Sequence, residues 1–222
     1  MGTKLPICIK IWIYESFTKR GLMRILIWIG ALLPIVYAVL RFSVEFQPEW
    51  LRGLFAYLEH FIPLTLTKSP NDPLKFLINL SGNSAFWLLA LTLSFTPIRV
   101  FFKLNLIRYR RLSGLFSFFY ALIHAMLFIG IDQEFNLQDV MHEVLTKPFI
   151  AFGMGAFVIM LTMALTSTKK LFGLFRTWHR MVYIAAVLIV IHYLMSHKTI
   201  TWDNISVAGV LISLLVLRLI KR

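Results

Sequence analysis

Along the chain, apolar positions gather into six long stretches, each bounded by charge or proline, at roughly 22–41, 76–97, 113–131, 148–167, 178–197 and 204–220. A helix needs about 20 consecutive apolar residues to cross the hydrocarbon core of a bilayer, and these stretches are of that length. The second contains Gly82, Asn83 and Ser84, so its start is the least sharply marked. Residues 50–66 are also apolar but carry Arg52, Glu59, His60 and Pro63. They read as an amphipathic helix lying in the membrane interface rather than a seventh span; the plainer alternative is a loop packed on the bundle. The pattern predicts an all-α fold, a polytopic membrane bundle of six transmembrane helices.

Composition agrees. Of 222 residues, 59% are apolar and 15% charged, with a mean hydropathy of +0.76 and 20 Phe. Ordinary soluble domains are about 45–50% apolar and about 25% charged. Six spans of about 20 residues leave roughly 100 for loops and ends, too few for a large extramembrane domain. The one cysteine, Cys8, excludes a disulfide framework, a cysteine zinc site and an iron–sulfur cluster within this chain. Residues 5–14 are apolar but short, with no small-residue cleavage pattern after them, so no cleavable signal is expected.

The net charge of +13 is distributed by loop. Lys4, Lys10, Lys19 and Arg20 precede the first stretch, against Glu15 alone. Residues 98–112 hold Arg99, Lys103, Arg108, Arg110 and Arg111 with no acid. Residues 168–177 hold Lys169, Lys170 and Arg176, and the chain ends on Lys221 and Arg222. The intervening loops differ: 132–147 carry Asp132, Glu134, Asp139 and Glu143 against Lys147, residues 41–75 are balanced, and 198–203 have Lys198 and Asp203. The positive-inside rule places the basic loops and both termini in the cytoplasm, which requires an even number of spans. Residues 1–21 then form a cytoplasmic extension before a membrane domain of 22–222.

Three histidines lie within spans. An ionisable residue at such depth is expensive and marks a functional site by default. His124 lies 13 residues past Arg111, and His192 lies 12 past Arg180. At about 1.5 Å per residue both stand roughly 18–20 Å from the cytoplasmic boundary, on helices running the same way. Two facing imidazoles suit a b-type haem with both axial positions filled, which favours electron transfer over oxygen activation. Phe118, Phe119, Tyr120, Phe128 and Tyr193 are near enough in sequence to wall a porphyrin, although packing or lipid contact is the commoner role of any one of them. His179 lies 13 residues before His192, so on a uniform helix it points about 140° away. The plainer role for all three is interhelical hydrogen bonding. His60, His142 and His197 fall in loops or at interfaces. No carboxylate sits within a span, and there is no Walker loop, dinucleotide fingerprint or Ser–His–Asp set. Electrons would therefore enter from membrane quinol or from another chain.

At these residues the sequence resembles the MsrQ (YedZ) family, the haem-binding membrane subunits of the protein-methionine-sulfoxide reductase system, within the ferric-reductase-like transmembrane group. The stretches that carry it are TPIRV at 96–100, RYRRLSGLFSFFYALIH at 108–124, TKPFIAFG at 146–153, ALTSTKKLFG at 164–173 and RTWHRMVYIAAVLIVIHYLMS at 176–196. Trp178 and Phe175 depart from the pattern. The resemblance implies a bacterial inner-membrane subunit that passes electrons from the quinone pool through haem b to a periplasmic molybdopterin-containing catalytic subunit. That partner reduces methionine sulfoxide in oxidised proteins, and this chain would hold no methionine sulfoxide site. It also implies bound FMN, and it makes His124, His179 and His192 haem-associated; with the equal depth of His124 and His192, these two are expected to be the axial ligands and His179 to sit at a second haem or cofactor. Two-haem members of the wider group pair a second histidine on each helix. Here the matching depth before His124 holds Arg110 and Arg111, which suit a haem propionate or a flavin phosphate instead. A ferric or cupric reductase of the same fold, and a haem-free small transporter, are the alternatives.

Overall fold

A helix stands at each of the six apolar stretches. The computed structural model describes residues 7–60, 68–168, 178–197, 199 and 201–220, and their side chains except at 7–20, 45, 179, 219 and 220. All regular elements among them are helical. They fall into two units, Met1–Lys68 and Ser69–Arg222.

In the first unit, α1 (Ile7–Phe42) is longer than the expected 22–41. The helix continues back through the stretch read as an extension, where 7–20 hold no Pro or Gly to break it. Pro34 lies inside, as is tolerated in spans. After a 3₁₀ turn at Val44–Phe46, Gln47 donates its side-chain N–H back to the Leu40 carbonyl at 2.8 Å. Helix α2 (Glu49–Glu59) follows, within the predicted interfacial stretch. Phe55 is buried, while Trp50, Leu54 and Tyr57 are exposed. Residues 61–67 lie outside the described set.

The second unit holds α3 (Pro73–Phe102), α4 (Arg110–Met126), α5 (Leu137–Thr146), α6 (Pro148–Leu165), α7 (Val182–Ser196) and α8 (Trp202–Ile220). Their ends follow local chemistry. Asp72 accepts the Lys75 N–H at 2.9 Å with Pro73 in the first turn of α3, the arrangement that satisfies free N–H groups at a helix start. α3 closes on Lys103 in the left-handed region, φ 55°. Asn136 caps α5 by accepting the Gln138 N–H, and Pro148 opens α6. α4 continues into a π-helical turn, Leu127–Asp132.

Four helical segments among the described residues are long and apolar enough to cross a membrane: Gly21–Phe42, Pro73–Phe102, Ile107–Asp132 and Pro148–Leu165. Val182–Ser196 is apolar but shorter. Loop 132–147 contains α5. Its Leu137, Met141 and Leu145 form an exposed stripe opposite the buried Val140.

Five helices of the second unit pack in a closed order: α3 against α4, α4 against α6, α6 against α7, α7 against α8, and α8 back against α3. The core joins Phe86, Leu89, Ala90 and Leu93 of α3 to Val182, Ala186 and Val190 of α7 and Ala208 and Leu211 of α8. Small residues let these backbones approach, as membrane helices require. The α3–α4 seam is polar. Ser117 donates its hydroxyl to the Ala85 carbonyl at 2.8 Å, and Ser113 donates to the Leu88 carbonyl at 3.2 Å; both side chains are fully buried.

Candidate functional site: a paired-histidine centre

The packing of α3–α4 against α6–α7 brings together the two histidines that depth arithmetic placed at one level. The rings of His124 on α4 and His192 on α7 lie 6.2 Å apart, centre to centre, with their planes at 83°. Each ring is held from behind. His124 Nδ1 lies 2.9 Å from the Ile78 carbonyl of α3, and His192 Nδ1 lies 2.6 Å from the Phe149 carbonyl of α6. A carbonyl oxygen only accepts, so each Nδ1 carries the proton and donates it. The lone pair is then on Nε2 in both rings, the form in which neutral imidazole ligates a metal.

The spacing suits an ion between them. A metal–imidazole bond is about 2 Å, so two imidazoles on opposite sides of one metal have ring centres about 6 Å apart. Two protein ligands are too few for a zinc site. Among the described residues no cluster of three or more His, Cys, Asp or Glu could hold a bare ion. A metal whose remaining positions come from a non-protein ring fits a site of two imidazoles.

Glycines make room for both rings. A Cβ at Gly82 would stand 3.1 Å from His124 Nδ1 and Cε1, and one at Gly153 would stand 2.8 Å from His192 Nδ1. Beside the pair, the Tyr193 ring packs at 5.3 Å from Phe86 and 4.8 Å from His197. The aromatic neighbours expected around the site divide. Tyr120 is buried, Phe118 stacks on Phe157 at 6.1 Å, and Phe119 is exposed.

A second feature lies about ten residues nearer the start of α4. A cavity of about 610 Å³ is lined by Arg110, Arg111, Gly114 and Phe118 of α4, Leu89 and Thr92 of α3, Met160 and Met163 of α6, and Arg180, Val182 and Tyr183 of the α7 approach. No acid lines it. Arg218 lies over the Tyr183 ring at 5.1 Å, with its Nη1 buried and, among the described residues, without a hydrogen-bond partner. The side chain of His179 is outside the described set, but its neighbour Arg180 lines this cavity. His179 also sits on a 3₁₀ turn, Trp178–Met181, so the 140° offset of a uniform α-helix does not apply across it. His60, His142 and His197 are exposed.

Nothing along the sequence assigns Gly82, Gly153, Ile78, Phe149, Arg180 or Arg218 a place in the site. Their roles depend on which helices are neighbours, and no spacing along the chain reports that.

The family model "Ferric reductase like transmembrane component" matches residues 81–190. The chain is 39% identical over 128 residues to the protein-methionine-sulfoxide reductase heme-binding subunit MsrQ of Herminiimonas arsenicoxydans, covering 55% of this chain and 59% of that protein. It is 36% identical over 154 residues to the MsrQ subunit of Brucella ovis, covering 68% of this chain and 70% of the relative. The chain belongs to the MsrQ family. In this MsrQ family member the ferric-reductase-like match takes in His124, His179 and both site glycines and stops two residues before His192. No solved structure matches the chain.

Proposed function

We propose that this chain is a haem b subunit carrying electrons across the bacterial inner membrane, from membrane quinol to a soluble periplasmic molybdopterin-containing subunit that reduces methionine sulfoxide in oxidised proteins. The observation that carries the reading is the imidazole pair: ring centres 6.2 Å apart, each Nδ1 engaged by a backbone carbonyl. His124 and His192 would hold the haem through Nε2, and haem held there would supply one-electron iron chemistry. Their carbonyl partners fix the tautomer and raise the basicity of the ligating nitrogen.

The electron acceptor is read from the relatives, named as heme-binding subunits of a protein-methionine-sulfoxide reductase. The alternation of basic loops with balanced or acidic ones supports six spans with both termini cytoplasmic. The cavity bearing Arg110, Arg111 and Arg180 is the place for a second cofactor with anionic groups, either haem propionates or the phosphate of FMN, with His179 beside it. The test is a pyridine-haem assay and reduced spectrum on the purified full chain. Wild type should carry low-spin haem b, and His124→Ala or His192→Ala should each lose most of that signal and stop electron delivery. His142→Ala and His197→Ala should retain both. A full wild-type spectrum in either ligand variant would overturn the pairing.

A further inference from the structure

The two halves of the centre are built alike. On α3, Gly82 follows the accepting carbonyl of Ile78 by four residues; on α6, Gly153 follows that of Phe149 by four. The next helix in each case lays a histidine ring on the glycine. Equivalent positions on α3 and α6 are 71 residues apart (149 − 78 and 153 − 82), and the histidines are 68 apart (192 − 124).

The four-residue step has a physical cause. In an α-helix the carbonyl of residue i takes the N–H of residue i+4, and the Cβ of that residue tilts back toward the helix start, over the same carbonyl. A side chain there covers the carbonyl's second lone pair. Glycine leaves it open. Gly is also less favourable than Ala inside a helix, so helix formation does not explain a glycine at both places.

We infer that Gly82 and Gly153 are positioning residues for the two iron ligands: each opens a backbone carbonyl to the Nδ1–H of the imidazole lying on it, and so sets that ring's orientation and donor strength. The inference rests on the haem reading above. The halves are unequal. At Gly82 an added Cβ asks the ring to give by a few tenths of an ångström, whereas at Gly153 it stands 2.8 Å from Nδ1 and 2.9 Å from Cε1 and the ring must move.

The experiment compares detergent-purified holoprotein of wild type, Gly82→Ala, Gly153→Ala and the ligand variants His124→Ala and His192→Ala. Gly155→Ala on α6 is the control, because its Cβ would meet only Leu188 Cδ1 at an ordinary 3.6 Å. The readouts are the low-spin ferric EPR signal, the haem midpoint potential, and haem transfer to a competing acceptor. Gly153→Ala should shift the EPR signal, raise the potential as the weakened hydrogen bond lowers imidazole donation, and reduce haem affinity about 10–100-fold. Gly82→Ala should act in the same direction by less, and Gly155→Ala should match wild type. If Gly153→Ala fails to assemble, Gly82→Ala decides alone. EPR signals and potentials equal to wild type in the assembled glycine variants, with haem lost from the histidine variants, overturn the inference while leaving the ligand assignment standing. Full low-spin haem in both histidine variants rejects the ligand assignment itself.

Discussion

A guanidinium stays charged in any protein environment, so three of them around one cavity favour an anionic group among them. Arg110, Arg111 and Arg180 line such a cavity, and no carboxylate does. The remaining walls, Leu89, Phe118, Met160 and Met163, are apolar. A ligand that satisfies both has a flat apolar body and a charged end. This makes cofactor stoichiometry informative at the level of single residues. Fully loaded protein should hold one bis-histidine haem at His124 and His192 plus a second group whose retention falls in Arg110→Ala or Arg111→Ala, with the outer haem spectrum unchanged. Two bis-histidine haems per chain, measured as haem to protein with both low-spin signals resolved, would sink that assignment of the arginines.

Among the helices, the α3–α4 seam shows how the histidine comes to its place. Ser113, Ser117 and His124 all bond backbone carbonyls of α3, at Leu88, Ala85 and Ile78. The contacts run antiparallel and fix the register of α4 on α3. An interhelical hydrogen bond in a membrane protein averages about 0.6 kcal/mol, so Ser117→Ala should lower stability in detergent by about that amount. Ser117→Leu places a large side chain at a fully buried position and should cost about 1–3 kcal/mol by overpacking. The temperature of haem loss reads both effects; equal midpoints for the two variants would show that the seam is looser than the contacts imply. This register also divides what the sequence reveals from what it hides. The helices of the six apolar stretches were legible because charge or proline bounds each one, and the closeness of His124 and His192 was legible because rise per residue converts position into depth. Helix α5 was hidden because its apolar residues, Leu137, Met141 and Leu145, are four apart among charges in only ten residues. The glycine contacts and Arg180 were hidden because they arise between helices distant in sequence.

Across the whole chain, charge carries two separable messages. Lysines and arginines set orientation by the positive-inside rule, to which acids contribute little. The acids of 132–147 are therefore not needed for topology. Asp132, Glu134, Asp139 and Glu143 against Lys147 leave that loop at −3 (−4 + 1) in a chain of net +13. Their bonds are local: Gln133 to Asp132, Asn136 to Asp139, and Lys147 to Glu143. Asp132, Glu134 and Asp139 remain exposed. Under the proposed topology this loop faces the periplasm, on the side where the soluble acceptor must dock. Complementary charge acts on encounter rate and is screened over about 10 Å at 0.1 M salt. Replacing all four acids by their amides should leave orientation and haem content intact. It should slow electron delivery to the periplasmic partner at low ionic strength by about tenfold, the lower end of steering effects, and flatten the dependence on salt. Stopped-flow transfer at two or more salt concentrations measures both. Rates equal to wild type at low salt would show that the acceptor docks without help from this loop.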